Sequence, residues 1–437
     1  MPAARRRLRP PHRSGDLPAR PPGRAHPPRD RPGRHDLRPS RRGGGHRRMK
    51  SVAVIGASLA GLYAARSLRS QGFDGRLVIV GDECHGPYDR PPLSKDFLTG
   101  ATDPGRLALA DAEEIAELDA EWLLGTRATG LDTGGRTVLL DGGRSLTTDG
   151  VVLATGAAPR LLPGPVPAGV HTLRTLDDAQ ALRADLAPAP VRVVVIGGGF
   201  IGAEVASSCA ALGHDVTVVE AAPLPLVPQL GHAMAEICAA LHADHGVTLL
   251  TGTGVARLRS EGDGRRVTGV ELTDGRLLPA DVVVVGIGVR PRTAWLTDSG
   301  LPLDDGVLCD AGCVTPLPAV VAVGDVARVD GARAEHWTSA TEQAAVAARN
   351  LLAGSTVATH RSLPYFWSDQ YGVRIQFAGH RLPTDTPRVL EGSPDDRSFL
   401  ACYERDGRTT AVLALNRPRP FMRLRRELAR TALSATT

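Results

Sequence analysis

Residues 197–204, Gly197-Gly198-Gly199-Phe200-Ile201-Gly202-Ala203-Glu204, decide how this chain is read. They follow a strand-type run, Val191–Ile196 (VRVVVI), and open onto helix formers that continue to about Leu212. Gly197, Gly199 and Gly202 form a G-x-G-x-x-G turn between strand and helix. A second strand, Asp215–Val219, ends in Glu220, eighteen residues beyond Gly202. Such a turn brings unpaired N–H groups and the positive end of a helix dipole close to a pyrophosphate, and the acid accepts from a ribose diol.

The same grammar occurs about 140 residues earlier. Ser51–Gly56 (SVAVIG) precedes helix formers over Ala60–Ser70, and Arg76–Gly81 (RLVIVG) ends in Asp82 and Glu83. Here the turn is Gly56-Ala57-Ser58-Leu59-Ala60-Gly61, with Ser58 where a middle glycine is expected, so Glu83 is needed to identify it. Gly150–Pro159 (GVVLATGAAP) and Asp281–Pro291 (DVVVVGIGVRP) each read as a strand then a tight turn, the turns carrying Ala154, Thr155 and Gly156 in one and Gly288 in the other. Ala319–Asp325 (AVVAVGD) adds a buried strand ending in Gly324 and Asp325, followed by a helix from about Thr338 to Leu352. From His360 on, aromatics cluster, strands alternate over 373–378, 398–403 and 410–415, and an Arg-rich helix starts near Phe421.

These patterns predict an α/β protein with two Rossmann-like dinucleotide-binding domains and a C-terminal α+β domain. The expected segments are a basic tail (1–48), an FAD-binding domain in two parts (49–158 and 283–355), an NAD-binding domain (159–282) and the C-terminal domain (356–437). Two cradles call for two dinucleotides. Glu220 would repel a 2′-phosphate, and Ala221-Ala222-Pro223 offers no cation for one, so NADH is expected in the second site with FAD in the first.

Composition excludes several classes. No run of eighteen apolar residues occurs in the 437, so no spanning helix is expected. The six cysteines, Cys84, Cys209, Cys238, Cys309, Cys313 and Cys402, are too few and too scattered for a disulfide scaffold, and a reducing cytoplasm is expected. Cys309-x3-Cys313 lacks further partners at metal-site spacing, and the thirteen histidines form no metal motif, so no metal is expected. The net charge of +5 hides an asymmetry: residues 1–48 hold fifteen Arg and three Asp, +12, which leaves 5 − 12 = −7 elsewhere. That Pro-rich basic stretch is expected either as a disordered tail or as a misread start ahead of Met49. No nucleic-acid or membrane partner is expected.

Pro87–Lys95 (PYDRPPLSK), with GASLAG, TGAAPR, GGGFIGAE, AVGDVA, FWSDQYG and ALNRPRPFM, resembles one family over about residues 49–430. It is the oxygenase-coupled NADH:ferredoxin reductases, of the putidaredoxin, rhodocoxin and biphenyl-dioxygenase reductase type, in the glutathione-reductase superfamily. The resemblance implies electron transfer from NADH through FAD to a [2Fe–2S] ferredoxin serving a P450 or Rieske oxygenase. It places Ala60 and Gly61 on the FAD pyrophosphate, Glu83 on the adenosine ribose, and Arg90 and Arg174 near phosphate charge. Ala128 would lie by the adenine, Asp325 on the ribityl chain, and Trp337 and Trp367 at the flavin. Phe200 and Ile201 are expected among the cofactor-binding residues of the second cradle, Glu204 would sit beside the nicotinamide, and Lys95 is expected to pair with Glu204 beside the flavin. The run Arg417, Arg419, Arg423, Arg425, Arg426 and Arg430 reads either as a docking face for an acidic ferredoxin or as a solvated helix face. A monomer or weak dimer is expected.

Two other readings stay open here. Cys84 could serve an NADH oxidase or CoA-disulfide-type reductase, although neither the C-x4-C nor the C-x-x-C of disulfide reductases is present. An apoptosis-inducing-factor-like redox flavoprotein shares the cradles. The dinucleotide choice is directly testable: Glu220→Ala with Ala221→Arg removes a ribose acceptor and adds a phosphate partner. The ratio of turnover with NADH to turnover with NADPH should fall at least several-fold in this variant.

Overall fold

The computed structural model describes residues 49–434 apart from 135, 188–189, 263–264 and 362. The basic stretch 1–48 lies outside the described residues.

Two parallel sheets carry the same plan. The first runs Val320–Ala322, Gly150–Leu153, Ser51–Ile55, Arg76–Val80, Ala120–Leu123. The second runs Thr248–Leu250, Asp215–Val219, Arg192–Ile196, Val282–Val285, Val170–His171. In each, the central strand ends level with its neighbours: Ile55 faces Val80 and Leu153, and Ile196 faces Val219 and Val285. These strands are Val/Ile-rich and, past their first residue, almost wholly buried, as parallel strands covered on both faces must be. Helix Leu59–Ser70 lies against helix Trp337–Ala353 over the first sheet, both presenting small alanines to the contact.

The chain crosses between these sheets twice, and the two crossings pair with each other. Ala157–Pro159 and Val289–Pro291 form a two-stranded antiparallel ladder. The expected boundaries at 158/159 and 282/283 lie near this ladder. The first falls inside the ladder, and the second cuts Val282–Val285, which is bonded to Arg192–Ile196 as part of the second sheet. Two three-stranded antiparallel sheets, Ala128–Thr147 and Val255–Pro279, were not anticipated; their strands are short, half-exposed and only partly alternating.

The C-terminal sheet is antiparallel, in the order Tyr365–Gln370, Val373–Gly379, Arg408–Leu415, Ser398–Arg405, Thr386–Ser393. Helix Pro418–Ser434 covers one face through Phe421, which is fully buried. It begins three residues before the expected start because proline is tolerated in a first helical turn. The hairpin Tyr365–Gly379 turns at Tyr371 (φ 53°) and Gly372 (φ 73°), both in the left-handed region that a two-residue hairpin turn of this hand needs. A tyrosine tolerates that position because its ring is held from outside. It stacks on His245 at 4.7 Å, and its hydroxyl shares a 2.7 Å hydrogen bond with Nδ1 of His242.

His242 is 2% exposed, and burial pushes its pKa down from 6.5 to about 4. Between those values the unfolded chain binds the proton and the folded chain does not, so stability falls as the pH drops from 6.5 to 4. One such histidine contributes a loss of about 3 kcal/mol over that window. His242→Gln, which keeps a polar partner for Tyr371 but cannot titrate, should flatten that part of the pH dependence of thermal unfolding.

Candidate functional site

Each cradle depends on two close backbone approaches. Gly56 (φ 124°) donates its N–H to Val80 O at 2.7 Å, and a Cβ there would lie 2.0 Å from Ala154 O. Gly61 passes the Gly56 carbonyl so tightly that a Cβ would lie 1.8 Å from it. In the second cradle Gly197 (φ 104°) donates to Val219 O at 2.8 Å, its Cβ would meet Gly286 O at 2.4 Å, and a Cβ on Gly202 would meet Gly197 O at 2.0 Å. Glycine is required at all four positions by space, at two also by φ.

The helices that follow are uncapped. Neither Ser58 nor Gly199 places a side chain on the first-turn N–H groups, and no acid lies in either first turn. Elsewhere Thr175 and Asp178 form a full capping box, and Asp111 caps Ala112–Glu117. The helices starting at His232 and Trp337 are uncapped as well, so it is the close glycine turns together with the open donors that fit two dinucleotide pyrophosphates.

The acids end the strands as expected, and both are engaged. Glu220 accepts from Gly198 N–H and Ala222 N–H, each at 2.8 Å, and so stiffens its own glycine loop. Glu83 accepts from the Tyr88 hydroxyl at 2.5 Å and Arg90 at 2.6 Å. Arg90 also reaches Ser58 Oγ (3.3 Å) and Arg174 O (2.5 Å). Arg174 in turn pairs with Asp325 at 2.7 Å. Ser58, Glu83, Arg90, Arg174 and Asp325 are therefore brought together as one connected chain of contacts. Gly324 (φ 71°) places its backbone against Ala60, where a Cβ would lie 3.0 Å from the alanine methyl.

Ala128 opens its strand two residues past Thr126, whose N–H donates to Gly81 O at 2.8 Å, near the Glu83 corner. Thr155 Oγ1 and Gly156 O both bond Arg292 at the ladder, and Arg160 N–H donates to Gly288 O. Trp337 donates its indole N–H to Asp89 at 3.0 Å, and burial raises the Asp89 carboxyl above its usual value, partly offset by that bond. His336, at the start of the same helix, is held below its usual pKa by burial.

The densest contacts gather round Glu204, 2% exposed on the helix after the second cradle. Lys95 Nζ and Ser94 Oγ each donate to Oε2 at 2.6 Å, Ser368 Oγ donates to Oε1 at 2.7 Å, and Asp369 N–H reaches Oε1 at 3.3 Å. Phe200 packs on Phe366 (4.8 Å between rings), whereas Ile201 is half exposed. Trp367 is not part of this gathering. It stacks on Tyr365 (5.8 Å), in the cluster beneath helix Pro418–Ser434. Ser94, Ser368 and Asp369 were not singled out in the sequence, although PYDRPPLSK and FWSDQYG both flagged their neighbourhood.

Cys84 is exposed and does not take part in the contacts round Glu204. Cys309 is buried, its thiol pushed up to about 12 by burial, and burial pushes the buried Cys313 thiol up as well.

Two family models match: pyridine nucleotide-disulphide oxidoreductase over residues 50–344, and reductase C-terminal over 365–436. The chain is 39% identical to rhodocoxin reductase of Rhodococcus erythropolis, over 87% of this chain and 89% of that one. It is 37% identical to the ferredoxin–NAD(+) reductase subunit of the benzene 1,2-dioxygenase system of Pseudomonas putida, over 85% and 90%. Among solved structures, the covalent putidaredoxin reductase–putidaredoxin complex matches with a TM-score of 0.82 and 34% identity, over 87% of this chain and 93% of that one.

The cradle geometry makes a paired prediction. Gly61→Ala should yield folded but colourless protein, since its methyl displaces the first turn. Gly202→Ala should keep the yellow chromophore of the first site and lose the response to NADH. Absorbance spectra, with circular dichroism as the folding control, read both.

Proposed function

The chain belongs to the pyridine nucleotide-disulphide oxidoreductases, in the branch of ferredoxin reductases that serve oxygenase systems, and from this we infer how its residues divide the work. It is an NADH-dependent, FAD-containing ferredoxin reductase. We assign the acceptor to the [2Fe–2S] class and the final consumer to a P450 or Rieske oxygenase, in keeping with the PYDRPPLSK signature and with the relatives' oxygenase systems. When bound, FAD takes an electron pair from NADH and releases it singly to the ferredoxin.

The chain's own task is to bind, orient and tune. The open helix start at Leu59 and the backbone of Ala60 and Gly61 would carry the FAD pyrophosphate, with Arg90 beside it. Asp325, oriented by Arg174, would hold the ribityl chain. The start of helix Trp337–Ala353 would direct its positive end at the ring system. The second cradle, Gly197 to Gly202, would carry the NADH pyrophosphate, with Glu220 selecting the unphosphorylated ribose.

The observation that carries the reading is the Lys95–Glu204 pair, a buried carboxylate on the helix of the second cradle held by a half-buried ammonium. A fixed ammonium in a low-dielectric site stabilises negative charge that develops beside it, and the carboxylate keeps it in place. Lysine suits this role better than arginine, being a compact point charge; of 52 basic residues only Lys50 and Lys95 are lysine. The Arg-rich helix Pro418–Ser434 would offer its cations to an acidic ferredoxin. Arg425 is committed inward, 4.0 Å over the Tyr365 ring. Among the described residues no helix is long and apolar enough to cross a membrane.

Purified protein should be yellow, and NADH-driven cytochrome c reduction should rise sharply when a ferredoxin is added. Lys95→Ala should slow flavin bleaching by NADH while FAD stays bound. Glu204→Ala should do likewise, and the double variant should be no slower than the worse single one. Stopped-flow absorbance checks this; wild-type rates in Lys95→Ala would remove the electrostatic role.

A further inference from the structure

One strand of the C-terminal sheet lies along the helix of the second cradle in fixed register. Residues alternate along Tyr365–Gln370, so Phe366, Ser368 and Gln370 share a face. Phe366 packs on Phe200, Ser368 bonds Glu204, and just past the strand Tyr371 N–H donates to Ser207 Oγ at 2.7 Å. Phe200, Glu204 and Ser207 stand at i, i+4 and i+7, one stripe of their helix. The register is locked at the hairpin tip, where the Tyr371 ring is held by His242 and His245.

Ser368 is fully buried. A hydroxyl has one proton, and this one goes to Glu204 Oε1, while Gln370 Nε2 donates to the hydroxyl oxygen at 3.0 Å. Gln370 and Ser368 thus form a one-way chain of donors ending on the carboxylate. Lys95 and Ser94 hold the other oxygen. Both oxygens are engaged from opposite sides, so rotating the carboxylate breaks contacts with two domains at once.

We propose that Ser368 is a positioning residue for the NADH-driven reaction: the C-terminal domain, through the Ser368 hydroxyl oriented by Gln370, fixes the Glu204 carboxylate against Lys95. This rests on the role given above to Lys95 and Glu204. The C-terminal domain therefore takes part in the flavin-reducing half of the reaction as well as in presenting a surface to the acceptor.

Three variants test it: Ser368→Ala, Ser368→Thr, and Tyr371→Gly, which keeps the turn but removes the ring that locks the register. Ser368→Ala should slow flavin bleaching by NADH about tenfold, the scale of one lost hydrogen bond to a charge, with the KM for NADH and the FAD content unchanged. Ser368→Thr should restore most of the rate, and Tyr371→Gly should fall between. A second readout needs no flavin. With two lysines in the chain, 15N-lysine labelling of the FAD-free protein gives one ammonium signal each for Lys50 and Lys95. The Lys95 signal should be sharp and shielded in wild type, broadened in Ser368→Ala and recovered in Ser368→Thr. If Lys95→Ala is slow but Ser368→Ala matches wild type in rate and spectrum, this inference falls and the reading beneath it stands. If Lys95→Ala itself is unchanged, the reading beneath it falls.

Discussion

A carboxylate that is 2% exposed costs several kcal/mol to remove from water, and attraction to one cation offsets this only when the remaining lone pairs also find donors. Glu204 meets that requirement by drawing on three parts of the chain. It sits on the second cradle's helix. Ser94 and Lys95 come from the loop following the first sheet's Arg76–Val80 strand, and Ser368 and Asp369 come from the C-terminal sheet. Ser208 ties the same helix to Ser94 O at 2.7 Å. No one of these parts can satisfy the carboxylate alone. Misplacing any of them leaves a buried charge short of a partner, so this one side chain selects how the three sheets meet.

A second constraint acts at longer range. The arginines nearest the first cradle are both balanced by acids: Arg90 by Glu83 and Arg174 by Asp325. Arg90 and Glu83 belong to the first sheet's segment before the crossing, Arg174 to the inserted domain, and Asp325 to the segment after it. Leu176 N–H, donating to the Tyr88 hydroxyl at 2.9 Å, adds to the same seam. Charge that would meet phosphate is thus also the charge that holds the inserted domain to its host.

Much of this was legible in the sequence because it follows from backbone needs. Gly56, Gly61, Gly197 and Gly202 are demanded by carbonyls 1.8 to 2.4 Å from where a Cβ would stand, and no other residue can substitute without displacing the turn it faces. Wholly apolar strands announce parallel sheets for a similar reason. What stayed hidden depends on the fold bringing distant residues together. Nothing in FWSDQYG says that Ser368 will meet a glutamate 164 residues away, or that Trp367 will turn to the other face. Composition does not change where the chain leaves the second sheet after Val282–Val285; the ladder of Ala157–Pro159 with Val289–Pro291 marks that place.

That ladder also dictates an order of assembly on the ribosome. The first sheet is split by the insertion, and its edge strand Val320–Ala322 pairs with Gly150–Leu153, made long before it. Until residue 322 has emerged, Gly150–Leu153 has an open edge, and unpaired edges invite wrong partners. The inserted domain has no such delay: its strands, from Val170–His171 to Val282–Val285, are contiguous in synthesis. It can close first and, by drawing residues 159 and 289 together, shorten the loop that the host sheet must still close from about 170 residues to about 40.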